Sequence, residues 1–157
     1  MEKKYEFTDE TIEVGGKTLH RIRALRDFGN VEKGDLGGYI EKEDNLSHRG
    51  NCWIGDYAKV YGYAKVFGDA LVYENAQVYG YAYICGEPHV FDNAEVYGNA
   101  QVYEKAYIYD RARVYGNAEV SGDAHVYGHA KIYGEACVCW DDWIDGDKRI
   151  STGEKTR

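Results

Sequence analysis

The chain has 157 residues, a formal net charge of −8 and 44% hydrophobic residues. This length suits one domain, and no apolar run is long enough to span a bilayer, so we expect a cytoplasmic protein without a signal sequence or a membrane partner. The acidic balance argues against direct binding of nucleic acid, because phosphate binding requires clustered lysine and arginine side chains.

The N-terminal segment, residues 1–45, is predicted to be a cap made of a hairpin and a loop. Residues 1–10 are charged and are expected to fray. Residues 11–24 contain two β-like runs around Gly15 and Gly16, which predicts a β-hairpin. A cap is expected because the first coil of a solenoid exposes unpaired strand edges and an apolar interior.

From Ile54 to Ile144 an aliphatic residue returns every six positions without a slip. A short fixed period of this kind predicts a solenoid, in which each hexad supplies one short strand and one turn. The aliphatic residue and the alanine two places before the next one lie on the same face of a strand, and this face is predicted to be the interior. Three hexads make a coil of 18 residues, so we predict about five coils, in which residues eighteen apart stack.

The boundaries of the repeat follow from the same spacing. Ile40 and Leu46 are six residues apart, whereas Leu46 and Ile54 are eight apart. We therefore predict a partial coil at 40–53 with a two-residue excursion near 47–51. The repeat domain is predicted to span 46–144, and residues 145–157 are predicted to be a polar tail.

The pattern V/I-x-G-x-A-x resembles the hexapeptide repeat of left-handed parallel β-helix proteins, a family dominated by acyltransferases that use coenzyme A. The run RIRALRDFGNVEKGDLGGYIEKEDNLS followed by GNCWIGDYAKV is similar to the start of the repeat in a group of bacterial and phage proteins often labelled as transferases. The resemblance implies an all-β, left-handed parallel β-helix of bacterial or phage origin. It leaves the activity open, because one fold hosts many functions.

One wall of the predicted solenoid is unusual, because both of its outward columns are apolar or aromatic. Such a patch is larger than monomers usually leave exposed, which predicts a protein interface. We expect a homo-oligomer, either a trimer, as in the transferases that the chain resembles, or a dimer; a different protein partner is the alternative. The predicted interface residues are Trp53, Leu71, Tyr73, His89, Phe91, Tyr107, Tyr109, His125, Tyr127 and Trp143.

Three functions fit this pattern. The first is a non-catalytic binding or assembly module without a cofactor, for example a phage-encoded module that acts on a host protein. The second, implied by the resemblance, is an acyltransferase that uses acetyl-coenzyme A, with His125 or His129 as general base. The absence of a loop inserted between 54 and 143 weighs against it, because those transferases usually build the acceptor pocket from such a loop. The third, an acidic mimic of nucleic acid, requires a continuous stripe of carboxylates.

The cysteine and histidine spacings do not predict a metal site. The four cysteines contain no CxxC pair, so reduced thiols are expected. His89 and His125 lie two coils apart in one column, which separates them by about 10 Å, too far to share one ion.

Overall fold

The computed structural model describes residues 2–151 and the backbone of 154–155, and it is an all-β solenoid of about six turns with 18-residue coils. The fold class predicted from the repeat is confirmed. Three parallel sheets form the walls, and strands eighteen residues apart pair in register, for example His89 with Tyr107. Coils are numbered 1–6 here, each beginning at its strand in the wall of predicted interface residues.

That first wall, which we call the histidine wall, contains six strands: β4 (Trp53–Ile54), β7 (Leu71–Val72), β10 (His89–Val90), β13 (Tyr107–Ile108), β16 (His125–Val126) and β19 (Trp143–Ile144). The tyrosine wall contains β5 (Lys59–Val60), β8 (Gln77–Val78), β11 (Glu95–Val96), β14 (Arg113–Val114), β17 (Lys131–Ile132) and β20 (Arg149–Ile150). The mixed wall contains β6 (Lys65–Val66), β9 (Tyr83–Ile84), β12 (Gln101–Val102), β15 (Glu119–Val120), β18 (Cys137–Val138) and β21 (Glu154–Lys155).

The interior is filled by the aliphatic and alanine positions of the repeat. Val60, Val78 and Val96 have no exposed surface, and neither do Ala64 and Ala82. Small side chains are required here because the three walls enclose a narrow tube, and interiors pack at the density of organic crystals. Nearly all larger side chains of the repeat therefore point outward, which places the chemistry of this protein on its walls and corners.

The partial first coil lies where the spacing predicts it. Ile40 pairs with Val60 and Leu46 with Val66, each twenty residues apart, whereas Ile54 pairs with Val72, eighteen apart. The two extra residues therefore lie between Leu46 and Ile54, as predicted.

The N-terminal cap is more ordered than its composition indicates. Strands β1 (Tyr5–Val14) and β2 (Lys17–Ala24) form the predicted hairpin, β3 (Leu36–Ile40) joins it to β5, and a short 3-10 helix spans Glu43–Asn45. The prediction that residues 1–10 fray is wrong. Lys4 is fully buried, and its ammonium donates hydrogen bonds to the carbonyl oxygens of Gly50 at 3.2 Å and Cys52 at 2.7 Å.

The C-terminal end of the strand pairing differs from the predicted boundary. Arg149–Ile150 pairs with Lys131–Ile132, so the walls continue beyond Ile144 into the segment interpreted as a tail. Ile150 keeps the six-residue spacing from Ile144, which is why the strand forms. The structure has about six turns rather than five because pairing extends at both ends. Residues 152, 153, 156 and 157 of the predicted tail lie outside the described residues.

No helix in the described part of the chain has the length and apolar character needed to cross a membrane.

Candidate functional site

The histidine wall carries two continuous columns of side chains, one on each side of its inward aliphatic residues. In the first column His89, Tyr107, His125 and Trp143 stack in succession, with ring centroids 4.8, 4.9 and 4.0 Å apart and interplanar angles of 16° or less. These rings lie together because residues eighteen apart stack in neighbouring coils, as the repeat predicts; their role in an interface stays a prediction. Trp53 and Leu71 continue the column towards the cap, where Trp53 is almost fully buried against Phe28.

In the second column Tyr73, Phe91, Tyr109 and Tyr127 stack at 4.9–5.1 Å with interplanar angles of 3–7°. Offset or stacked aromatic pairs contribute about 0.5–1.5 kcal/mol each beyond the area that they bury. The rings are half-buried by their neighbours, and Trp143 at the end of the wall is 58% exposed. The wall is therefore a rigid apolar surface before any partner binds to it.

The two columns are joined by hydrogen bonds between tyrosine and histidine. The hydroxyl of Tyr73 lies 3.0 Å from Nδ1 of His89, and the hydroxyl of Tyr109 lies 3.3 Å from Nδ1 of His125. Burial raises the pKa of Tyr73 to about 12, so this phenol keeps its proton at neutral pH. In the tautomer of His89 that carries its proton on Nε2, Nδ1 accepts the hydrogen bond from the phenol.

Both wall histidines are neutral in the folded protein near pH 7. Burial lowers the pKa of His89 below 6.5, and burial also lowers that of His125, against an opposing effect of Asp123. A neutral imidazole has one ring nitrogen that can accept a hydrogen bond from the tyrosine hydroxyl. Protonation of the imidazole would remove this acceptor.

We expect the protein to lose stability as the pH falls from about 7.5 to below the ordinary histidine pKa of about 6.5. The folded state has the lower histidine pKa, so below pH 6.5 the unfolded chain binds more protons, and the free energy of unfolding falls until the folded pKa is passed. Thermal melting across this range measures the effect. The variant His89→Phe/His125→Phe keeps both rings without titrating, and a melting profile as steep as that of the wild type would assign the loss to other groups.

The two histidines considered as general bases lie in different surroundings. His125 is held between the rings of Tyr107 and Trp143, and it faces a groove of 540 Å³ whose rim contains Asp69, Glu87 and Asp123. Coenzyme A carries phosphate groups, so this acidic rim disfavours it.

His129 is exposed and lies at the corner between the histidine and tyrosine walls. There it shares a cavity of 440 Å³ with Arg111, Arg113, Lys131 and one carboxylate, Glu95. The structure therefore does not bring His125 and His129 into one cavity, and no carboxylate forms an ion pair with either within the described residues.

We call this corner the charged corner. It comprises the turn that follows each strand of the histidine wall, together with the first residue of each strand of the tyrosine wall, which points outward. Its acidic part is a column of four side chains, Asp56, Glu74, Asp92 and Asp110, all at positive φ between 54° and 59°. Each carboxylate accepts a hydrogen bond from the backbone N–H of the next coil at 3.0–3.1 Å. Asp92 also raises the pKa of Glu74 through a side-chain hydrogen bond.

Sequence reasoning did not identify this column. The signal is present, because the third hexad position is glycine in most turns but acidic in four consecutive turns of this corner. Glycine is the usual residue at positive φ, so aspartate or glutamate there indicates a side chain that bonds locally.

Taken together, the repeats and walls define a β-solenoid built of hexads. Residues 106–122 and 112–128 match a family model described as YdcK Beta solenoid repeat. The chain is similar to a protein of Escherichia coli (strain K12) named "Uncharacterized acetyltransferase YdcK", with 40% identity over 55 residues. The match covers 34% of this chain and 17% of that protein, so the chain spans about a sixth of its length.

Proposed function

We propose that this protein is a non-catalytic assembly module that associates with copies of itself through the histidine wall. The observation that carries the proposal is the pair of stacked columns, each of which extends over four consecutive coils. Stacking already fixes the rotamers of these side chains, so a partner that covers them gains apolar burial at a low cost in conformational entropy. Aromatic residues held in this way are typical of the centres of protein interfaces.

A second copy is favoured over a small ligand because the wall is a regular surface. The turns from coil to coil keep the same length from residue 54 to 144, and among the described residues the cap covers only the Trp53 end of the wall, where Phe28 packs on Trp53. Flat surfaces bind other flat surfaces, whereas ligand sites are concave and enclose most of the ligand. A copy of the chain presents a wall of the same flatness and the same spacing between coils.

A second candidate is an acyltransferase that uses acetyl-coenzyme A, with His129 as the general base. It is supported by the basic cavity beside His129 and by the name of the Escherichia coli protein to which the chain is similar. Phosphate groups suit a cavity lined by Arg111, Arg113 and Lys131. In such a site His129 would remove the proton from an acceptor hydroxyl or amine as it attacks the thioester.

The acidic mimic of nucleic acid is disfavoured by the length of the acidic column. It covers four coils and ends at Asp110, after which glycines replace the carboxylates and arginine and lysine follow. A mimic of a nucleic-acid backbone requires regular negative charge along its whole length.

Calorimetric titration with acetyl-coenzyme A separates the first two candidates. We expect no heat of binding up to millimolar cofactor, because the walls offer no enclosed channel for the pantetheine arm. The matched control is His129→Ala, which should behave like the wild type. Micromolar binding by the wild type, together with loss of acetyl transfer but not of binding in His129→Ala, would contradict the non-catalytic proposal and favour the enzyme.

A further inference from the structure

The charged corner separates positive from negative charge along the solenoid axis. Coils 1–3 carry four carboxylates and one ammonium at this corner: Asp56, Glu74, Asp92, Glu95 and Lys59. Coils 4–6 carry five cations and three carboxylates: Arg111, Arg113, Lys131, Lys148, Arg149, Asp110, Asp145 and Asp147. Among the described residues, none of the ion pairs involves any of these side chains. One half of the corner is therefore mainly acidic and the other half mainly basic, and the two halves meet where Glu95 lies opposite Arg113 in neighbouring strands.

The basic half stacks like charges on one another. Arg113 lies directly opposite Lys131, and Lys131 directly opposite Arg149, in neighbouring parallel strands. Like charges in this position destabilise a sheet. Arg111, Arg113 and Lys131 also line one cavity with His129, and Glu95 is the one carboxylate among its lining residues. An acidic surface outside the chain would offset this repulsion.

We propose that two copies pair antiparallel through the histidine wall, so that the acidic half of each charged corner faces the basic half of its partner. This inference rests on the self-association proposed above, and it selects a two-fold dimer over a trimer. The occupant of the basic cavity is then the acidic corner of a second copy, rather than a free anion.

The geometry follows from the regular spacing of the coils. Consider a two-fold axis that lies in the plane of the wall and is perpendicular to the solenoid axis. It places the second copy with its coils in the reverse order and with its charged corner facing the charged corner of the first copy. With the axis between coils 3 and 4, coil 3 of one copy faces coil 4 of the other. Glu95 then lies against Arg111 and Arg113 of the partner subunit, and Glu74 lies against Lys131 of the partner subunit. The aromatic columns also match, with Phe91 opposite the partner's Tyr109.

A parallel arrangement is disfavoured by the opposite edge of the wall. An axis along the solenoid, whether two-fold or three-fold, keeps the coil order and sets the charged corner against that edge, which carries Asp69, Glu87, Lys105, Asp123 and Asp141. Glu74 and Asp92 would then lie beside Asp69 and Glu87 of the neighbour, where like charges repel, whereas only Lys131 and Arg149 near the C-terminal end would lie beside opposite charges. In the antiparallel pair this edge faces the same edge of the partner subunit. The repulsion between the two edges is smaller, because Lys105 offsets part of the negative charge.

Two charge variants test the pairing, and both use residues that the repeat already accepts. Arg111→Asn/Arg113→Glu gives coil 4 the residues of coil 3, whereas Asn93→Arg/Glu95→Arg gives coil 3 the residues of coil 4. In each variant alone, coils of like charge face each other, so we expect single chains of 17.8 kDa at concentrations where the wild type is a dimer. Mixing the two restores opposite charges at both contacts, so a two-chain species should return. Light scattering at low salt measures each mass.

Several results separate the possible occupants of the corner. Lys65→Glu/Gln101→Glu on the mixed wall adds negative charge away from the interface, and its mass should equal that of the wild type. Variants that stay dimeric, or a mixture that stays monomeric, would overturn the antiparallel pairing and leave the histidine wall as interface. Binding of inorganic phosphate that Arg111→Asn/Arg113→Glu abolishes without changing the mass would assign the cavity to a small anion instead. A wild type that is monomeric throughout would overturn the self-association itself.

Discussion

The double substitution Phe91→Glu/Tyr109→Glu is expected to convert the assembled protein to single chains while leaving its β-sheet circular dichroism unchanged. Phe91 and Tyr109 lie at the centre of the second column, with their ring centroids 5.1 Å apart, and both side chains point outward. An interface that covers them would bury carboxylates without partners, which costs about 3–5 kcal/mol for each charge. We therefore expect association to weaken by at least about 100-fold.

The matched control for this variant is Tyr63→Glu/Tyr81→Glu. These two rings also stack on neighbouring coils, 5.1 Å apart, but they lie between the tyrosine wall and the mixed wall and are about 60% exposed. The control loses a stacked pair and gains two charges, yet its mass should match that of the wild type. If the wall variant keeps the wild-type mass, the histidine wall is not the interface. If it loses its sheet signal, the columns support the fold instead.

Replacement of Asn45 by alanine is expected to lower the free energy of unfolding by about 3–5 kcal/mol, because four buried hydrogen bonds are lost together. The Asn45 side chain is fully buried. Its Oδ1 accepts from the backbone N–H groups of Glu41 and Lys42, and its Nδ2 donates to the carbonyl oxygens of Gly62 and Ala64, all at 2.9–3.2 Å.

Thermal melting and hydrogen exchange measure this effect. For a domain of this size the melting temperature should fall by roughly 10 °C, and the amides of Glu41 and Lys42 should lose protection first. Asn117→Ala, at an exposed turn of the repeat, is the matched control and should change the melting temperature little. A similar small effect for Asn45→Ala would mean that the first coil closes without this side chain.

The repeat and the composition of its walls were predictable because a strict period leaves one register. Once Val60, Val78 and Val96 are placed inside, the register decides which residues point outward and which of them stack. The stacking of His89 on Tyr107 confirms this register. The ends were less predictable. Sequence reasoning used local composition there, whereas burial of the Lys4 side chain depends on the carbonyl oxygens of Gly50 and Cys52, about fifty residues away.

The charged corner shows a second reason for missed features. Net charge and its even spread along the chain suggested a solvated surface, but an 18-residue coil collects every third turn in one column. Asp56, Glu74 and Asp92 are eighteen residues apart, as are Arg113 and Lys131. Sorting charged turns by this period predicts both halves of the corner. The distances and pKa shifts within the histidine wall required side-chain positions, which the period alone does not give.

The mass of the wild-type chain in solution, measured by light scattering over a range of micromolar concentrations, tests the central claim most directly. The account predicts a species of two chains, near twice 17.8 kDa, that dissociates on dilution. A single mass of 17.8 kDa at every concentration would show that the histidine wall remains open to solvent, and it would contradict the proposed assembly.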